Sequence, residues 1–353
     1  MKKKLTWILS LGLILGTLTG CVGTPVVYGP AMDQEDSEDE NAQGSQNNES
    51  PEGALKTGLA VVTSVANSEN AKLAEFDVTL VGVLVDDQGV IADCTIDGVK
   101  TNVAFDGTGV ISSDLAAEIS SKNELGENYG MVAYGGAKYE WNEQAEALAQ
   151  FAIGKTAEEL RNGAIDETGR APEGSDLAST ATIYLGGYVS AIEEAVENAE
   201  HLGAQAGDQL KLASMSSIAK SQNASPEQEG TAQLDCDVTA LTQKDGVITS
   251  CVIDSVQAKV NFDQTGTIST DLTAPVQSKN QLGENYGMVA WGGAKHEWNE
   301  QAAAFAAYVT GKTLEEVQTI AVDERTAPTE ADLTSSVTIA IGGFQALIAK
   351  AMQ

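Results

Sequence analysis

The sequence predicts an α+β fold: two tandem homologous domains, each a small antiparallel sheet with helices packed on one side. Three observations carry that expectation. A shift of 157 residues aligns the chain with itself, so that Gly89-Val90-Ile91 meets Gly246-Val247-Ile248, and Gly154-Lys155-Thr156 meets Gly311-Lys312-Thr313. A period this long means two copies of a whole domain, placed at 54–203 and 207–353, not a solenoid. Within each copy, alternating runs come first and helical periodicity follows, the order expected of helices laid on an antiparallel sheet.

Each element has its own signal. Val78 to Val85, and Val238 to Thr242 in the second copy, run into turns at Gln88-Gly89 and Asp245-Gly246, and second alternating runs follow. That is a β-hairpin pattern. A further strand is expected near Val103 or Val260. A glycine-rich loop leads into a helix from Trp141 to about Ile153, with Trp141, Ala145, Leu148 and Ala152 on one face and Gly154 closing it. Thr156-Ala157-Glu158-Glu159 and Thr313-Leu314-Glu315-Glu316 read as capping boxes that open a short second helix. Each copy then finishes with a Ser/Thr-rich strand, a Gly-Gly pair and a last helix, Tyr188 to about His201 or Phe344 to Met352. The stretch 221–231 reads as a surface loop.

Composition bounds the function. The 353 residues suffice for two domains, and 42% apolar content suffices for their cores. Twenty Lys and Arg against 51 Asp and Glu give a formal charge of −31, which argues against nucleic acid as a partner. Four cysteines without a C-x-x-C spacing argue against a zinc cluster or a disulfide scaffold. Cys94 and Cys251 hold equivalent positions and read as buried small apolar residues. Cys236 aligns with Thr79, and counting back across the Asp245-Gly246 turn sets it near Cys251, which leaves an oxidised pair open.

The first residues read as targeting. Lys2, Lys3 and Lys4 precede an apolar stretch, Leu5 to Leu18, of signal-peptide length. It ends in Leu18-Thr19-Gly20-Cys21, which resembles the bacterial lipobox. The expectation is a leader at 1–20 and lipidation of Cys21, with the body held on the extracytoplasmic face of the cell membrane. Residues 21–53 are rich in Asp, Glu, Gln, Asn and Ser and almost free of apolar side chains over their second half. Such a segment cannot bury enough surface to offset its ordering entropy. It reads as a disordered acidic tether with a reach of at most about 110 Å.

The copies resemble each other unevenly. At the uniform shift, residues 76–98 share 8 of 23 identities with 233–255, whereas 122–144 share 20 of 23 with 279–301. Only Glu124, Tyr134 and Tyr139 change, to Gln281, Trp291 and His296. Recent duplication alone cannot produce that contrast, so something constrains this segment in both copies. It also gathers Tyr129, Tyr134, Tyr139, Trp141, Tyr286, Trp291 and Trp298. Gly135-Gly136 and Gly292-Gly293 allow close backbone approach or positive φ. Aromatic faces beside exposed amides suit a flat conjugated ligand; alternatively the loop caps the sheet and Trp141 and Trp298 are core residues. Glu140 and Glu143, one helical turn apart, read as a solvated face and a cap rather than a hydrolytic pair, and no Ser-His-Asp arrangement is evident.

Tyr-Gly-Met-Val, Gly-Gly-Ala-Lys and Glu-Trp-x-Glu-Gln-Ala resemble the FMN-binding domain family, in particular the two-domain flavinylated surface lipoproteins of Gram-positive extracellular electron transfer. The resemblance spans both copies. In that family FMN is attached through its phosphate to the last threonine of Asp-x-x-Ser-Gly-Ala-Thr. Here Asp176-Leu177-Ala178-Ser179-Thr180-Ala181-Thr182 and Asp332-Leu333-Thr334-Ser335-Ser336-Val337-Thr338 follow the motif, with Thr180 and Ser336 in place of glycine and Val337 in place of alanine. The resemblance implies Thr182 and Thr338 as acceptors, with Asp176, Ser179, Asp332 and Ser335 in their motifs. It implies cofactor contacts from Tyr129, Gly130, Met131, Gly135, Gly136 and Trp141, and from Tyr286, Gly287, Met288, Gly292, Gly293 and Trp298. The flavin would stack on Tyr129 or Tyr134, with Lys122 or Lys138 beside it. The partners implied are an FMN transferase and a membrane electron donor such as a quinone-linked dehydrogenase. The chain then reads as a redox carrier more than an enzyme with its own turnover. The alternative is a non-redox surface lipoprotein whose loop binds another ligand or only stabilises the fold.

Lipidation requires the Cys21 thiol. Cys21→Ala is expected to leave an unprocessed or released protein, checked by fractionation after carbonate washing; a variant still partitioning with membranes would remove the lipobox reading.

Overall fold

A computed structural model describes residues 53–353; the leader, Cys21 and nearly all of the acidic tether lie outside them. The first repeat opens with three strands, β1 (Lys56–Ser64), β2 (Leu73–Val85) and β3 (Ile91–Ala104), paired antiparallel in that order. Five helices follow: α1 (Lys122–Leu125), α2 (Trp141–Ala152), α3 (Ala157–Ala164), α4 (Asp176–Thr180) and α5 (Gly186–Glu197). The second repeat has the same order. Its strands β4 (Gln209–Ser217), β5 (Gly230–Lys244) and β6 (Val247–Phe262) precede α6 (Lys279–Leu282), α7 (Trp298–Val309), α8 (Leu314–Gln318), α9 (Ala331–Thr334) and α10 (Gly342–Ala351).

Strand alternation decides how the layers stack. Along β2, Val81, Val83 and Val85 face a core shared with α2 and α5, whereas Phe76, Val78 and Leu80 face the other way. Those inner residues meet Leu234, Cys236, Val238 and Val256 of the second sheet in one continuous core. The molecule is therefore a helix–sheet–sheet–helix stack within one compact unit. Burial of both sheet faces explains why Leu80 to Val85 is almost unbroken apolar sequence.

The two halves meet through reciprocal contacts. Asn70 Oδ1 accepts from the Ile268 amide and Asn223 Oδ1 from the Ile111 amide, both at 2.8 Å. The Ala71 amide donates to Gly266 O and the Ala224 amide to Gly109 O. β-Bridges join Thr63 to Val276 and Ile119 to Ser216. Residue i touching j while the counterpart of j touches the counterpart of i is the signature of an isologous, two-fold interface. Here it is written into a single chain. At its centre Phe105 and Phe262 stack face to face, with centroids 3.9 Å apart and planes 1° from parallel.

Several expectations are corrected. The hairpin's second run and the strand expected near Val103 are one long strand, β3, and the same holds for β6. Each sheet has a further strand before the hairpin, β1 and β4, that the hairpin pattern does not include. The Ser/Thr-rich strand is a helical turn, α4, because Ser175 caps it through the Ala178 amide and the hydroxyls of Ser179 and Thr180 bond back to the carbonyls of Asp176 and Leu177. The hairpin turn is one residue shorter in the second repeat: Val85 pairs with Ile91, Gln243 with Ile248. Cys236 consequently corresponds to Val78, not Thr79. It sits opposite Val256 in the inter-sheet core, whereas Cys251 sits opposite Leu241 among the helices. The sheet separates the two, and both thiols are free.

Removing either ring of the central stack leaves a cavity that two packed sheets cannot collapse. Phe105→Ala is expected to cost about 3–5 kcal/mol. Denaturant unfolding followed by Trp fluorescence and by circular dichroism should give a single coincident transition for both repeats. Separate transitions would show that the repeats fold independently.

Candidate functional site

The near-identical segment forms the same structure twice. Ser121 caps α1 in a capping box with Glu124, a 3-10 turn runs Gly126–Tyr129, and a tight loop leads to Trp141 at the start of α2. The start of the loop is pinned to the sheet. Asp97 Oδ1 accepts from the Asn123 amide at 3.0 Å, and Asn123 Nδ2 donates to Ile96 O; Asp254, Asn280 and Ile253 repeat the arrangement. Burial raises the pKa of both carboxyls, that of Asp254 to about 6.

The loop's far end is held by a buried carboxylate. Glu140 accepts from the Met131 and Val132 amides at 2.8 and 3.0 Å, and Glu297 does so from Met288 and Val289. Glu140 is thus no solvated face: it is buried at the N-cap of α2, where the Glu143 carboxylate accepts from its amide. Gly130 and Gly287 turn at φ +83° and +81°, and the rings of Tyr134 and Trp291 lie over them. A Cβ at Gly130 would stand 2.5 Å from the Tyr134 ring. Gly135 and Gly292 pass so close to the Met131 and Met288 carbonyls that a Cβ would meet them at 2.7 Å. Gly136 and Gly293 complete the turn.

The sequence did not single out Gln144 and Gln301 as site residues, yet they join the loop to the threonine motif. Gln144 Nε2 donates to Tyr139 O, while its Oε1 accepts from the Thr182 amide at 2.8 Å, Thr182 Oγ1 at 3.1 Å and the Ile183 amide at 3.1 Å. Gln301 does the same for His296, Thr338 and Ile339. The signal available was the Glu-Gln pair, unchanged in both copies. Loop and threonine, about 40 residues apart in sequence, therefore form one site, and both threonines are exposed. Asp176, Ser179, Asp332 and Ser335 lie on the adjoining helical turns, also exposed.

Other expected contacts separate into two groups. Tyr134 and Trp291 are 92% and 82% exposed, flat rings presented to solvent, with Val132 and Val289 partly exposed beside them. Trp141 and Trp298 are core residues. The Trp141 indole donates to Tyr188 Oη at 2.9 Å, and Trp298 packs edge-on against Phe344. Tyr129, Met131, Tyr286 and Met288 are half-buried against the same cores. Lys122 lies beneath the site, its Nζ 4.9 Å from the Trp141 ring and 3.0 Å from Asp77, so it does not present its charge to a ligand. Lys138 is exposed, its Nζ 3.5 Å from Ser179 O.

The repeats differ in charge beneath the loop. Burial opposes the Lys122 ammonium, but Asp77 together with Tyr188 and Tyr129 outweighs it, and the Lys122 pKa is raised. Asp235, the counterpart of Asp77, is taken by Lys220 at 3.1 Å, and burial holds the Lys279 pKa below the ordinary lysine value. Beside the threonines, Arg170 Nη1 donates to Thr182 O at 2.6 Å, whereas Ala327 occupies that place in the second repeat. Compared with known proteins, the chain matches no family model, no curated protein and no solved structure.

A carboxyl with a raised pKa stabilises the fold below its unfolded value and loses that contribution as pH rises through its folded value. For Asp254 the loss falls between about pH 4 and pH 6, with a slope of up to about 1.4 kcal/mol per pH unit. Asp254→Asn is expected to remove that slope from urea unfolding measured across the window, and an unchanged slope would assign the titration elsewhere.

Proposed function

We propose that the chain is a lipid-anchored, extracytoplasmic electron-transfer flavoprotein carrying FMN on one or both repeats, each repeat an FMN-binding-like domain. The observation that carries the reading is the Gln144 and Gln301 bridge. It sets an exposed threonine hydroxyl beside a rigid loop that bears an exposed aromatic ring, and it does so twice. The absence of the motif glycine does not obstruct the backbone. Thr180 lies in α4 with helical geometry, and neither Thr180 nor Ser336 has a positive φ. A side chain with a Cβ is therefore accommodated at both positions.

The residues that would hold the group are Thr182 or Thr338 at the phosphate, Tyr134 or Trp291 at the ring, and, at its charged edge, Lys138 or its exposed counterpart in the second repeat, Lys295. Bound there, FMN supplies one- and two-electron chemistry, while the protein supplies position and exposure. Gln144 Oε1 accepts a hydrogen bond from the Thr182 hydroxyl and so fixes the direction of that O–H. Arg170 adds a positive charge next to the first acceptor. The partners are an FMN transferase that forms the phosphoester and a membrane electron donor such as a quinone-linked dehydrogenase. An exposed ring favours exchange with partners over enclosure of a substrate.

Protein co-produced with an FMN transferase is expected to show flavin absorption and an intact mass increased by FMN. Thr182 is expected to be occupied more fully than Thr338, because Arg170 is present and Ala181 replaces the β-branched Val337. Peptide mapping of Thr182→Ala, Thr338→Ala and the double variant tests this. Covalent flavin surviving in the double variant would refute the acceptor assignment, and no flavin at all would refute the reading.

A further inference from the structure

The interface between the repeats is symmetric in its backbone contacts but not in its charges. At one end, the Lys350 ammonium of α10 donates to Ser214 O of its own repeat's β4 at 2.7 Å and reaches across to pair with Glu124 of the other repeat at 2.5 Å. At the other end every partner is changed. Glu194 of α5 stands where Lys350 stands, Gln281 replaces Glu124, and Val61 of β1 replaces Ser214. Gln281 donates to Glu194 at 2.7 Å, which accounts for the Glu124-to-Gln281 difference, since a glutamate there would face another carboxylate. Among the described residues, no ammonium fills this end. Instead a cleft of about 580 Å³ opens between β1, α5, β6 and α7.

The cleft lining is amphipathic. Leu59, Val61, Val252, Ala303, Ala306 and Ala307 supply apolar surface. Glu194, Glu197, Glu200 and Asp254 supply carboxylates, and no lysine, arginine or histidine among the described residues lines it. Asn299 adds a side-chain oxygen that is buried without a hydrogen-bond donor. Burial and the neighbouring Glu197 carboxylate keep the Glu194 pKa raised, so a cation arriving there would relieve an existing cost. The volume lies within the range of small-molecule sites.

We propose that this cleft binds an amphipathic organic cation, an alkyl or aryl group bearing a primary ammonium, whose charge does at this end what Lys350 does at the other. The apolar part lies on Leu59, Val61 and the α7 alanines, and the ammonium meets Glu194 and Glu197. This site shares Asp254, Asn280 and Gln281 with the anchored start of the second loop, but neither Trp291 nor Thr338 lines it, and it does not rest on the flavin reading.

The test uses the full chain and three probes of one size, hexylamine, hexanol and hexanoate, titrated by ligand-observed NMR in about 0.15 M salt to screen the general acidic field. Hexylamine is expected to bind at least about tenfold more tightly than either of the others. Glu194→Gln with Glu197→Gln should erase that preference. Removing two carboxylates elsewhere, Glu118→Gln with Glu227→Gln, should leave it intact, as should Trp291→Ala at the loop. Glu194→Lys with Gln281→Glu copies the closed end into the open one, and it should raise Tm and abolish hexylamine binding. Equal binding of hexanoate, a preference that survives loss of Glu194 and Glu197, or no hexylamine binding below about 10 mM would overturn the proposal.

Discussion

The packing of one sheet's inner face on the other's is the constraint from which the remaining structure follows. Neither sheet has a polar face to give to water: helices cover one side, and the partner repeat covers the other. Three strands with two apolar faces cannot stand alone, because the exposed face would be a large aggregation-prone patch. The stack of Phe105 on Phe262 marks the pseudo-two-fold axis, and the Asn70 and Asn223 side chains fix the register around it. Duplication has produced the single-chain equivalent of an isologous dimer.

That arrangement also places the aromatic loops. Each loop begins on the middle of a long strand, held by Asp97 or Asp254, and its first helix is met by the last helix of the other repeat. Glu140 and Glu297 then fold the loop over a buried carboxylate, and Gln144 and Gln301 tie it to the threonine. The loop's shape is held by backbone amides, close-packed glycines and one glutamine, and its sequence is nearly the same in both copies. The strands, which need only apolar volume, drift freely.

Because one chain encodes both halves, symmetry can be broken residue by residue. Lys350 and Glu194 occupy equivalent places with opposite charge, and Asp77 and Asp235 serve different lysines. The result is two loops of one shape in different electrostatic settings, together with one closed and one open end of the interface.

The sequence by itself determined the duplication, the hairpins, the helices α2 and α3 with their caps, and the special standing of the aromatic segment. These are local: periodicity, capping boxes and self-alignment report on neighbours within a few turns or on copies of one pattern. It also suggested that loop and threonine belong together, but only through a resemblance. The tertiary structure decided what periodicity cannot carry. Trp141 and Tyr134 are both aromatics in one loop, yet the first is buried under α5 and the second is open to solvent, because chain direction after Gly130 sets which ring meets the core. Cys236 and Cys251 are close by count along the hairpin but lie on opposite faces, because one residue fewer in a turn shifts a strand's register and side chains alternate every residue. Above all, only the fold could reveal that the two copies share a core, since the partner of each strand's inner face lies in the other half of the chain.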